Sequence, residues 1–228
     1  MNILAFDTCF DGCSACVAEA RAGAVTELAS MFERFQTGHA ERLIPMVGEV
    51  MQEARISFDL IDRIAVTVGP GTFTGTRIGI AAARAFALAC GAATVGVSSL
   101  AVMAEAARVQ VKSEALAVVV DARRGEVYAQ LFAERGTEAD GPPQLLSIAD
   151  AARLGNGPIV FVGSGAAIVA DAARGVREAS SALPDLLPDA VALARLAAGL
   201  EAAQAPLVPL YLRPPDAKPQ VGPAIARA

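Results

Sequence analysis

Two aspartates close apolar runs just ahead of a turn. Asp7 follows Ile3-Leu4-Ala5-Phe6, and Asp121 follows Leu116-Ala117-Val118-Val119-Val120. Each puts a carboxylate at the end of an apolar run. Two of them facing each other would suit acid–base work. The same residue type at the same place also caps a turn by accepting a backbone N–H, so both readings stand. A third candidate is Val68-Gly69-Pro70-Gly71-Thr72-Phe73-Thr74-Gly75-Thr76-Arg77-Ile78-Gly79, which follows the β-branched run Ile64–Val68. Glycine lets backbone approach backbone or a ligand, and helix N-termini bind anions. The stretch is therefore either a phosphate cradle or a tight docking turn. It is neither a P-loop nor a dinucleotide fingerprint, because its spacing matches neither. Gly163-Ser164-Gly165 is a second glycine turn after an apolar run. No lysine stands in any of these loops.

The remaining chemistry is sparse. His39 is the sole histidine, so no pair of imidazoles can hold a metal. No Gly-x-Ser-x-Gly elbow occurs. Cys13 and Cys16 are spaced C-x-x-C, but they sit in an alternating pattern that points them to opposite faces of a strand. Together with Cys9 and Cys90 they are expected to be free thiols.

These residues must be positioned by an alternation of strands and helices. Residues 2–8, 13–20 and 25–31 read as three antiparallel strands, with Asp11-Gly12 at the first turn. Residues 39–55 form a helix with a wide apolar face. At about 100° per residue, Leu43, Ile44, Met46, Val47, Val50, Met51 and Ala54 span about 160°. That breadth suggests two contacts, one with its own domain and one with a partner; a well-buried core helix is the alternative. Residues 75–91 form an Ala-rich helix, with Thr74 as its expected N-cap and Gly91 as its C-cap. A strand at 92–97 and a helix capped by Ser98 complete the first half.

The second half repeats the opening: a strand ending in Asp121, a turn at Ala122–Gly125, then a partner strand over 126–132. After it come a Gly/Pro-containing loop at 136–147, a short helix at 148–154, a strand at 158–162, a helix at 189–201 and an extended segment at 207–212. A loose tail is expected from Pro214. Two copies of strand–Asp–turn–strand argue for duplication.

The segment Gly69–Gly79 resembles the signature of the TsaB (YeaZ-type) family. Further matches are Ile3–Thr8, His39-Ala40-Glu41-Arg42-Leu43-Ile44-Pro45 and Pro209-Leu210-Tyr211-Leu212-Arg213. Their order and spacing cover nearly the whole chain. The resemblance implies an α/β fold: two lobes of the actin-like ATPase/sugar-kinase type, each ribonuclease-H-like. The expected division is residues 1–110 and 111–228, with 207–213 packing back on the first lobe. It implies a non-catalytic subunit supporting a TsaD-type paralogue, with a TsaE-type ATPase in the assembly, in making threonylcarbamoyladenosine on tRNA. In the catalytic relatives a His-x-x-x-His pair holds the metal; here the fourth residue after His39 is Leu43.

The partner surface is expected at His39, Leu43, Met46, Val47, Val50, Met51, Gly79, Ala82, Ala83 and Phe86, serving also a homodimer when the chain is alone. A vestigial nucleotide site is expected at Asp7, Thr8, Gly69, Gly71, Thr72, Gly75, Arg77, Asp121, Gly163 and Gly165, with weak adenine-nucleotide binding, no tightly bound cofactor and no metal. The alternative is an autonomous ATP-dependent phosphotransferase or ATPase using Asp7, Thr8, the Gly69–Gly75 turn, Asp121 and Gly163–Gly165 around ATP and Mg²⁺.

Composition narrows the classes further. Of 228 residues 54% are hydrophobic, and mean hydropathy is +0.46. The most apolar stretch, 78–97, is broken by Arg84 and Gly91, so no membrane span is expected. The N-terminus lacks the basic region of a signal peptide, and a cytoplasmic protein is expected. Net charge is −5 and the pI is near 5.0. Nucleic-acid binders carry a basic face, so tRNA is expected to be met mainly through the complex.

Overall fold

The structure is a computed structural model and describes residues 1–112, 115–132 and 139–213. The tail expected from Pro214, and residues 136–138 of the expected loop, lie outside the described residues.

The first sheet is built from β1 (Asn2–Asp7), β2 (Gly12–Arg21), β3 (Ala24–Arg34), β4 (Arg63–Thr67) and β5 (Ala93–Val97), in the order β3-β2-β1-β4-β5. β1, β2 and β3 run antiparallel in sequence, while β4 pairs parallel with β1 and β5 parallel with β4. The second sheet uses β6 (Leu116–Asp121), β7 (Glu126–Phe132), β8 (Gln144–Ser147), β9 (Ile159–Val162) and β10 (Ala179–Ala182), in the order β10-β9-β6-β7-β8. Here too β6, β7 and β8 are antiparallel and β9 and β10 add in parallel. Renumbered from its own first strand, the second sheet has the order and strand directions of the first. This duplicated topology is the two-lobed actin-like ATPase/sugar-kinase plan.

Period-two alternation decides the two faces of the first sheet. Leu4, Phe6, Cys13, Ala15 and Val17 point to one face, under α1 (His39–Ala54) and α2 (Phe73–Cys90). Ile3, Ala5, Cys16 and Ala18 point to the other, under α3 (Ser99–Arg108) and α6 (Ala190–Gly199). Cys13 and Cys16 thus lie on opposite faces, and all four cysteines are free. Burial pushes the thiols of Cys13 and Cys16 up to about 12, so they are unreactive at neutral pH. In the second lobe α5 (Ala166–Ala173) packs with the short α4 (Ile148–Ala151) on one face. The other face receives α3 through Leu100, Met103, Ala104 and Ala107.

The 111–228 half does not stay together. α6 leaves the second sheet and seals the first: Ala190, Leu193, Ala194 and Ala197 are buried with Ile3 and Ala5. Arg63 of β4 donates to the α6 carbonyl of Ala197 and to Leu200 O (2.8 Å), satisfying the end of that helix. The segment after it stays on the first lobe, where Leu207 joins the core beneath α1 and α2. The physical reason is the apolar back of β1 and β2, which α3 covers only in part and α6 completes from outside residues 1–110. Among the described residues four elements escaped the sequence reading, one of them a single 3-10 turn at Phe58–Leu60. β8 falls in the expected loop, and α5 and β10 were not assigned. β10 reads Ala-Ser-Ser-Ala; it pairs in parallel with β9, and its end alanines pack on the core to either side.

Candidate functional site

The glycine turn is packed against the first strand turn, within one lobe. A Cβ on Gly75 would stand 1.9 Å from Thr8 O, and one on Gly71 2.4 Å from Cys9 O. A Cβ on Gly79 would meet Thr8 Oγ1 at 2.7 Å. These glycines therefore serve close backbone approach. Two of the N–H groups that a phosphate here would draw on are already engaged. Thr72 N donates to Cys9 O (2.7 Å), and Gly75 N donates to Thr72 Oγ1 (3.1 Å). Thr72, not Thr74, is the N-cap of α2. Thr8 donates its hydroxyl to Gly75 O (2.7 Å) and is buried. Ser99 N donates to Gly69 O (2.9 Å), fixing the turn from the α3 side. Of the two readings of this stretch, the docking turn fits this geometry and the open cradle does not.

Asp7 is 2% exposed. Its Oδ1 accepts from Thr67 Oγ1 and from Cys9 N (3.2 Å). Burial pushes its carboxyl up to about 6, while the Thr67 and Cys9 hydrogen bonds pull the other way. Asp121 is exposed, accepts from Arg123 N (2.7 Å) on its own turn, and donates its backbone N–H to Ser164 Oγ (3.0 Å). Both aspartates cap their turns. Only Asp121 lines the space between the lobes, so the facing acid–base pair is not formed.

That space is a cleft of about 360 Å³. Phe10, Asp11, Gly71, Thr72 and Leu187 line it, with Met103 of α3, Asp121, Ala122, Arg123 and Tyr128 of the β6–β7 hairpin, and Ser164. Of the expected nucleotide residues, Gly71, Thr72 and Asp121 reach it. Asp7, Thr8 and Gly75 are buried behind it, and Gly69 turns its back to Leu210 O. Gly163 and Gly165 pack on Val119 and Val127, so they tighten the second lobe and do not face a base. Arg77 points elsewhere: its guanidinium carbon lies 3.6 Å from the Phe73 ring centroid, and Nε donates to Tyr211 Oη (2.6 Å). The Phe10, Met103, Tyr128 and Leu187 walls were not visible in the sequence, because nothing local marks a residue that a distant lobe will face.

Comparison with known proteins places this architecture. The family model described as TsaD, tRNA N6-adenosine threonylcarbamoyltransferase, matches residues 33–208. An uncharacterized protein of Mycobacterium tuberculosis is 39% identical over 183 residues, 79% of this chain and 78% of that one. The tRNA threonylcarbamoyladenosine biosynthesis protein TsaB of Escherichia coli is 38% identical over 128 residues, 56% of this chain and 53% of that one. The solved structure of YeaZ from Pseudomonas aeruginosa superposes with a TM-score of 0.78 at 31% identity, covering 92% of this chain and 99% of that one. The chain belongs to the TsaB/YeaZ family.

Within that family's frame, the helix that opens with His39 can be read residue by residue. His39 begins α1, is 8% exposed, and its Nε2 lies 2.8 Å from Phe10 O. Its ring meets Phe35 edge-on at 4.9 Å. The imidazole thus pins the helix start to the β1–β2 turn. Leu43 is 1% exposed in the core. Among the described residues no group of three His, Cys, Asp or Glu could hold a metal ion. No helix among them is long and apolar enough to cross a membrane.

The expected partner surface needs correction. Leu43, Met46, Val47, Val50, Met51 and Ala83 are at most 3% exposed, and His39 and Gly79 are buried as well. Ala82 and Phe86 are half-buried against the same core. The wide α1 stripe has two walls inside one lobe, the β2–β3 face below and α2 beside it, so its breadth does not require an outside partner. What the two TsaB/YeaZ-type helices turn outward is different: Ile44 (53% exposed) with Pro45 and Gly48 on α1, and Ala81, Ala85 and Leu88 (88%) on α2.

Proposed function

We propose that this chain is a non-catalytic scaffold and activator for a TsaD-type catalytic paralogue, supporting threonylcarbamoyl transfer to adenosine of tRNA. One observation carries the reading. Where the catalytic relatives present a histidine pair on this helix, the chain has a single imidazole bonded to Phe10 O and, four residues on, Leu43 sealed in the core. The residues present do not fit a metal bound from that helix, and no step of chemistry is assigned to it.

The partner surface is proposed on the outward faces of α1 and α2, centred on Ile44 and Leu88. In isolation the same faces would pair two copies about a two-fold axis. A TsaE-type ATPase joins the working assembly, tRNA is met mainly through the partner, and the setting is cytoplasmic. Adenine nucleotide, if taken up in the interlobe cleft, binds weakly and is not turned over.

The reading is tested by reconstitution with the TsaD-type and TsaE-type proteins and tRNA. The intact chain restores modification. Ile44→Glu with Leu88→Glu stays folded, loses co-elution with the TsaD-type protein, and loses restoration with it. Nucleotide hydrolysis or phosphotransfer by the chain alone, at a rate matching the assembly, would return the field to the ATPase reading.

A further inference from the structure

After α6 the chain does not trail away. Ala203 N donates to Thr94 O (2.8 Å) and Leu210 N donates to Val68 O (2.7 Å), so backbone hydrogen bonds tie the segment to the first lobe at residues 203 and 210. Between them Leu207 enters the core, and Arg84 of α2 donates to its carbonyl. Tyr211 stacks on Phe73 at 5.3 Å and accepts from Arg77 Nε. Two residues later the segment crosses to the second lobe. Arg213 Nη1 donates to Ala122 O (2.7 Å), and Nη2 pairs with Glu126 Oε2 (2.6 Å). Ala122 belongs to the hairpin that walls the interlobe cleft.

We propose that residues 203–213 form a strap that sets the width of the interlobe cleft, with Arg213–Glu126 as its releasable end and Arg77–Tyr211 tying it to the outer side of α2. The two ends differ in kind. On the first lobe the strap is held by backbone bonds and a buried leucine. On the second it is held by one guanidinium, with side chains 21% and 40% exposed for Arg213 and Glu126. Ion pairs at that exposure are weak and screened by salt, whereas the buried anchor is not. The strap therefore yields at its Arg213 end first, and the β6–β7 hairpin moves with the second lobe. Because Arg77 stands on α2, a change on that helix face reaches the cleft through Tyr211. The strap itself does not depend on the proposed role in tRNA modification, since it is a property of the isolated chain.

The test uses spin labels at the exposed positions of Glu53→Cys and Ala172→Cys, one per lobe, in a Cys90→Ala background; the other three thiols are buried. Arg213→Ala is expected to shift the label separation to longer distances and broaden it, with the melting transition still cooperative. High salt is expected to do the same to the parent and to add nothing to Arg213→Ala. Arg77→Ala is expected to reproduce the broadening. Should Arg213→Ala not fold, Glu126→Gln removes the charge from the other side and is read in the same way. An unchanged separation in the folded Arg213 or Glu126 variant overturns the strap, and an unchanged separation in Arg77→Ala overturns its link to α2.

Discussion

Asp7 carries a carboxylate in the wrong solvent for its charge. Its ordinary pKa of 3.8 rises to about 6 because burial penalises the ionised form more than Thr67 and Cys9 support it. The folded chain therefore binds the proton more tightly than the unfolded one. Stability from the protonated carboxyl is fully present below about pH 4 and is lost as pH climbs through about 6. A shift of about two units corresponds to about 3 kcal/mol at most. Asp7→Asn keeps an oxygen for Thr67 and Cys9 and removes the charge. It is expected to raise stability at pH 7 by about 1–3 kcal/mol and to flatten the slope between pH 4 and 6, measured by urea unfolding across that range. A variant with the parent's slope would show that another group titrates there. The acid–base role open to Asp7 in sequence thus becomes a buried turn cap whose charge costs stability at neutral pH.

Helix α1 shows how one amphipathic pattern can serve two arrangements. At about 100° per residue its buried positions, His39 through Met51, span about 140°, and of the expected stripe Ile44 alone falls beyond the rim. The Arg42 guanidinium bridges Glu33 of β3 (2.6 Å) and Glu49 one helical face along (2.7 Å), closing the polar edge of the same packing. A charge at Val47 and a charge at Ile44 should therefore act oppositely. Val47→Glu places an unpaired carboxylate in a fully buried site and is expected to cost about 4 kcal/mol or more, or to prevent folding. Ile44→Glu should change stability by no more than about 0.5 kcal/mol. Chemical denaturation of the two variants separates them, and equal losses would mean that Ile44 is also part of the core.

Across the whole molecule, α3 and α6 bind the lobes into one cooperative unit. α3 gives Val102 to the first lobe and Leu100 and Met103 to the second; α6 comes from one half and seals the other. Leu193→Ala removes a fully buried side chain from that seal. A loss of about 2–5 kcal/mol is expected, with hydrogen-exchange protection falling in both lobes together. If residues 115–132 and 139–182 kept full protection while residues 1–110 lost theirs, the lobes would unfold separately.

What was legible in the sequence is what local physics fixes. Alternation placed β1, β2, β6 and β7 and sent Cys13 and Cys16 to opposite faces. Gly91 ended α2 with a left-handed cap at φ 70°, and the repeat of strand, aspartate and turn announced the duplicated sheets. The four matching segments named the family. What only the tertiary structure decided depends on partners distant in sequence. Gly71 and Gly75 could be told from a phosphate cradle only once Thr8 and Cys9 were seen pressed against them. The wide face of α1 could be told from a docking surface only once β2, β3 and α2 were seen covering it. Short elements such as β10 depend on neighbours that local sequence does not name: the strand β9 and the core packed against Ala179 and Ala182. Hydrophobic periodicity states that a face must be covered, and it is silent on which surface covers it, because burial rewards removal of apolar area from water without regard to where the covering atoms come from.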